Sequence, residues 1–138
     1  MPNVLVSLKR YQEAKLLLHR QIPAARRVLG ESHEATLRMR TNYARALCTN
    51  DDATLDDLHE AVTRLEDTAR IARRVFGGAN PITTTIESNL RDSRAKQLRA
   101  QSLQAEKLAQ DAFGAARAQL VQERSELARM LADASARP

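Results

Sequence analysis

The sequence has no tryptophan, two phenylalanines and two tyrosines. That is too few rings for a large aromatic core or for the stacking platforms that hold single-stranded nucleic acid. Its one cysteine, Cys48, excludes an internal disulfide framework and a multi-cysteine zinc site, and it suits a reducing compartment. No apolar run approaches the roughly 18 residues that a membrane span needs. The apolar patch Val4 to Leu8 is too short for a secretory signal core and has no basic region before it. A soluble, cytoplasmic chain is expected. Four glycines and four prolines in 138 residues, against abundant Ala, Leu, Arg and Glu, point to an all-α protein.

What is present is a repeat. The stretch Arg26 to Leu47, RRVLGESHEATLRMRTNYARAL, returns in degraded form as RRVFGGANPITTTIESNLRDSR at Arg73 to Arg94, an offset of 47 residues. Without gaps, Tyr11–Ala44 set on Leu58–Arg91 gives 10 identities in 34 positions, where chance gives about 2 to 3; such a period marks a repeat architecture. The identical residues include Glu13 and Glu60, Leu18 and Leu65, Arg26-Arg27-Val28 and Arg73-Arg74-Val75, Gly30 and Gly77, Thr36 and Thr83, and Asn42 and Asn89.

Local patterns give helices. Tyr11, Ala14, Leu18, Ile22, Ala25 and Leu29 fall on one face of a helix spanning Tyr11 to Leu29; Pro23 is expected to kink it. Gly30 ends it as a residue of left-handed conformation. A second helix, Glu34 to Cys48, buries Leu37, the stem of Arg40, Tyr43, Ala44 and Leu47. Thr49 to Ala53 form a turn, and Thr54 with Asp57 forms a capping box. The third helix has the cleanest stripe, Leu55, Leu58, Val62, Leu65, Ala69, Ala72 and Phe76, and stops at Gly77-Gly78. Asn80-Pro81 starts a fourth.

Beyond Asn89 nothing breaks the helix except Gly114, a cost of about 1 kcal/mol relative to Ala. Either one helix runs from Ile82 to Ala136 or the chain folds back near Gly114. Phe113, Leu120, Leu127 and Ala134 recur every seven residues, with Ala116 and Met130 three positions on and Glu123 at the matching place between them. Leu98, Leu103 and Leu108, five apart, fit neither a heptad nor a helical stripe.

The net charge of +5 is uneven: residues 1–48 hold nine Lys/Arg against three acids, and residues 49–80 hold seven acids against four Arg. A basic half attracts nucleic acid or acidic protein segments. The Arg26-Arg27 and Arg73-Arg74 pairs sit in last helical turns, where they complement the helix dipole; without a connected basic patch, nucleic acid is the weaker reading. His19, His33 and His59 share no spacing with one another or with Cys48, so no metal and no cofactor is expected. Asp51, Asp52, Asp56 and Asp57 lack the glycine and terminal glutamate of a calcium loop. With no glycine elbow and no nucleophile–base pattern, an enzyme is not expected.

Tyr-x-Glu-Ala (Tyr11, Glu13, Ala14), Arg-Arg-Val-Leu-Gly (Arg26–Gly30), Thr36-Leu37 and Asn-Tyr-Ala-x-x-Leu (Asn42–Leu47) stand in order, and several recur with Pro81 and Asn89. Over residues 3–95 this resembles tetratricopeptide repeats of the kinesin light chain type. The resemblance implies antiparallel helical hairpins over residues 1–95; the unbroken stretch beyond reads as a long helical extension over 96–138, a coiled coil or a cap. The period exceeds the family's, with the extra residues in the Asn50–Thr54 loop. Asn3 to Leu8 reads as the stub of a leading helix. Since about three repeats are needed for independent stability, either further repeats precede the chain or the long helix acts as the cap.

The resemblance also implies that the first helix of each pair lines a groove for extended peptides, with Asn42 and Asn89 bonding the peptide backbone. Independently, Arg38, Asn42 and Arg45 share a face at i, i+4 and i+7; their counterparts are Thr85, Asn89 and Asp92. The expected function is non-catalytic protein binding, with an acidic peptide crossing Asn42. The bland alternatives are a solvated face for the arginines and an inter-helix hydrogen bond for Asn42. A second partner class is another copy of the chain, joined through the C-terminal helix.

Overall fold

Helix-forming residues bounded by two glycines set the element order. The computed structural model describes residues 4–49 and 52–137, and among them every regular element is an α-helix. Helix α1 spans Val4–Val28, α2 Glu34–Thr49, α3 Leu55–Phe76 and α4 Pro81–Ala136. No helix is long and apolar enough to cross a membrane. Two compact units divide the chain, Met1–Ala100 and Gln101–Pro138. Asn3, Asn50 and Asp51, which belong to the expected stub and turn, lie outside the described residues.

Both copies of the repeat form the same device. Gly30 has φ +92° and Gly77 φ +83°, values an L side chain adopts only under strain. Each stops its helix while its own N–H still bonds back, Gly30 to the Arg26 carbonyl at 3.1 Å and Gly77 to that of Arg73 at 3.0 Å. The next helix is then capped by a side chain at the equivalent place. His33 Nδ1 accepts from the Ala35 N–H at 3.1 Å, and Asn80 Oδ1 accepts from the Ile82 N–H at 2.9 Å. Histidine and asparagine thus do one job, satisfying an orphan amide of the first turn. The Thr54–Asp57 capping box is present in both directions, each bond 3.1 Å long.

The core of the first unit gathers Ile22 from α1, Leu37, Tyr43, Ala44, Leu47 and Cys48 from α2, Leu58, Ala61, Val62, Leu65, Ala69, Ile71 and Ala72 from α3, and Ile86 and Leu90 from α4. Burying a leucine fully, as for Leu37 and Leu65, stabilises by about 1.5–3 kcal/mol. Tyr43 joins three helices. Its ring lies 6.0 Å from that of His19, the Arg64 guanidinium sits 4.7 Å from its centroid, and its hydroxyl donates to Glu60 at 3.2 Å.

Two expectations need correction. Helix α1 begins at Val4, not Tyr11: Lys9 and Arg10 continue a helix as readily as any residues, so the Val4–Leu8 patch belongs to α1. Pro23 lies inside this helix, as expected. Leu29, read as core, is 44% exposed because α1 ends one residue before it. The long C-terminal helix is present as expected: α4 runs through Gly114 without folding back.

Candidate functional site

A cleft of about 350 Å³ opens between α2 and the first turns of α4, lined by Arg38, Thr41, Asn42, Arg45, Pro81, Ile82, Thr85, Ile86 and Asn89. The four residues singled out from the sequence, Arg38, Asn42, Arg45 and Asn89, all lie on its wall. Of the three counterparts on the second copy, Thr85 and Asn89 line the cleft and Asp92 does not.

The cleft follows from the helix positions. On α2, Leu37, Tyr43, Ala44 and Leu47 are buried, which leaves the adjoining stripe of Arg38, Asn42 and Arg45 pointing out beside them. On α4, Ile86 is buried while Ile82 and Asn89 are half-buried. The cleft therefore has an apolar side from Pro81, Ile82 and Ile86 and a polar, cationic side from α2. Thr41 lies at the base, its hydroxyl committed to the Leu37 carbonyl at 2.8 Å.

Hydrogen-bond state separates structural from available groups. Neither the Asn42 nor the Asn89 amide has a hydrogen bond among the described residues, so the reading of Asn42 as an inter-helix tie is not what the structure holds. Each amide offers a donor and an acceptor, which matches one peptide unit. Arg38 pairs with Glu34 at 2.6 Å, a surface pair with side chains 66% and 47% exposed and hence weak. Arg45 makes no ion pair among the described residues. Hollows of about 340 and 370 Å³ along α3 and α4 are lined instead by Arg73, Glu87 and Arg94, which are already engaged in the Arg73–Glu87 and Arg94–Glu66 pairs at 2.7 and 3.0 Å.

Sequence reasoning missed Thr41, Pro81, Ile82 and Ile86. The signal for the isoleucines is their spacing, three and seven residues before Asn89, which sets them on its face of the helix. The Arg26 and Arg73 members of the paired arginines bond Glu31 and Glu87. Among the described residues no group of His, Cys, Asp and Glu could hold a metal ion.

The second copy differs from the first on its outward side. Leu37, Thr41, Ala44, Leu47 and Cys48 are buried on α2, and their equivalents on α4 are Thr84, Ser88, Arg91, Arg94 and Ala95, all exposed. Helix α4 thus keeps the inward residues of the repeat and replaces its outward apolar set with polar or small ones, as terminal repeats of stacked arrays do. No family model, no curated protein and no solved structure matches this chain.

Proposed function

We propose that this chain is a non-catalytic protein-interaction module of tetratricopeptide-like, kinesin light chain type, which binds an extended acidic peptide in the α2–α4 cleft. The observation that carries the reading is the convergence of Arg38, Asn42, Arg45 and Asn89, drawn from helices 47 residues apart in sequence, on one cleft. Asn42 and Asn89 bond peptide units of the ligand, Arg45 and Arg38 meet its carboxylates, and Pro81, Ile82 and Ile86 take an apolar side chain. A cytoplasmic setting fits the unpaired Cys48.

The test is fluorescence anisotropy with a labelled extended peptide that alternates Asp or Glu with apolar residues, against a control with Lys in place of the acids. The acidic peptide binds the wild-type chain. Replacing Asn42 and Arg45 together by Ala weakens binding at least about tenfold, the loss of one charge-assisted contact and one peptide bond pair, with an unchanged helical circular dichroism spectrum. Equal affinity of wild type and variant for the acidic peptide, or no binding of it at all, refutes the reading.

A further inference from the structure

Every residue of α4 from 101 to 136 is exposed, including Phe113 at 71%, Leu120 at 66%, Leu127 at 60% and Met130 at 66%. Helices in proteins are stable chiefly because an apolar face is covered, and these side chains lie in one stripe. Phe113, Leu120, Leu127 and Ala134 repeat every seven residues, with Ala116 and Met130 three further on. We propose that Phe113 to Ala134 forms a parallel, in-register coiled coil with a second copy of this chain. This inference does not rest on the peptide-binding reading.

The seven-residue period selects the occupant. A straight helix drifts about 20° per heptad from such a stripe, so only another helix of the same period stays in contact with it along its length, by supercoiling. A second copy carries that period by identity. The flanking charges then favour the parallel orientation, against the like charge that Glu123 meets in the seam. Arg117 and Arg124 flank the stripe on one edge, and Gln119 and Glu126 flank it on the other. In the parallel pairing these edges face each other, so Arg124 meets the other copy's Gln119 and no two like charges oppose across the flanks. An antiparallel pairing that sets Phe113 on Met130 places Arg117 beside Arg124 of the other copy.

Glu123 is the polar residue within the stripe. In the parallel register it meets its own counterpart, and the adjoining Arg124 of the other copy supplies the opposite charge on either side. Within its own helix the Glu123 carboxylate already accepts from Gln119 at 3.3 Å. A polar seam residue of this kind fixes register while lowering affinity.

Sedimentation equilibrium of the full chain tests the proposal. The wild type shows a concentration-dependent monomer–dimer equilibrium, and Glu123→Leu tightens it by on the order of tenfold. The double variant Leu120→Asp, Leu127→Asp is a monomer with an unchanged urea midpoint for the first unit. Mild oxidation of Leu120→Cys yields a disulfide-linked dimer, while the wild type, whose Cys48 is buried, does not cross-link. The proposal is overturned if wild type and Glu123→Leu are both monomeric at high micromolar concentration, if the dimer survives both aspartates, or if Leu120→Cys dimerises without cross-linking.

Discussion

The Cys48 thiol donates a hydrogen bond to the Ser93 hydroxyl at 3.3 Å in the interior, tying the end of α2 to α4. Beside it the Lys96 ammonium bonds the Cys48 carbonyl at 3.2 Å, satisfying one of the orphan carbonyls that end α2. Cys48→Ala leaves a small void and an unpaired Ser93 hydroxyl, so it should cost about 1–2 kcal/mol in urea unfolding. Adding Ser93→Ala should recover part of that loss. Strict additivity of the two substitutions would show that the thiol and hydroxyl are not coupled.

Thr36 and Thr83, equivalent in the two copies, are fully buried, and neither hydroxyl has a hydrogen-bond partner. Shape rather than polarity holds them there. Thr36→Val and Thr83→Val keep the branched outline and remove the orphan oxygen, and each should stabilise by about 1 kcal/mol. Thr→Ser at the same positions removes the methyl and should destabilise by a similar amount, about 1 kcal/mol. Urea midpoints for the four variants decide it; a destabilised valine variant would point to a hidden hydrogen bond.

One substitution, Gly→Ala, should have opposite signs at two places. At Gly77 a Cβ meets nothing within 4 Å, but φ is +83° and ψ 163°, a glycine-only region costing other residues about 1–3 kcal/mol. At Gly114, inside α4 and equally open, alanine should gain about 1 kcal/mol of helix propensity. Thermal circular dichroism should show Gly77→Ala melting earlier and Gly114→Ala with greater residual helicity.

Burial, chiefly, and then the Glu60 carboxylate push the Tyr43 phenol above its ordinary value of 10.0, with Arg64 opposing. A raised pKa means that the folded state keeps its proton after the unfolded chain has lost it. The contribution is therefore fully present below pH 10 and is lost as pH rises through the folded value. Unfolding free energy should fall above pH 10 more steeply for the wild type than for Tyr43→Phe. Parallel curves for the two proteins between pH 9 and 11 would show that the phenol does not ionise differentially.

Features resting on a local hydrogen bond or a periodic stripe were legible in the sequence. The Thr54–Asp57 box, the ends at Gly30 and Gly77 and the stripe from Leu58 to Ala72 are each specified within a turn or two of chain. Tertiary packing decides the rest. Nothing in the composition marks Thr68 as buried, or Leu17 as 56% exposed, because only neighbouring helices determine which part of an apolar surface is covered. Arg38, Asn42 and Arg45 were readable as one face, whereas the Ile82 and Ile86 side of the cleft required knowing which face of α4 turns towards α2.

The polar outward side of α4 closes the cleft on that side. Where Leu37, Ala44 and Leu47 invite a neighbour, Thr84, Arg91 and Arg94 do not, so nothing in the repeat extends the cleft past α4. Packed helices lie about 8–10 Å apart, and an extended chain advances about 3.3 Å per residue. A peptide bound as proposed would meet only a handful of residues between α2 and α4, a contact suited to rapid exchange. Lasting attachment would have to come from multiplicity, with two clefts held in one assembly engaging two segments of the same partner.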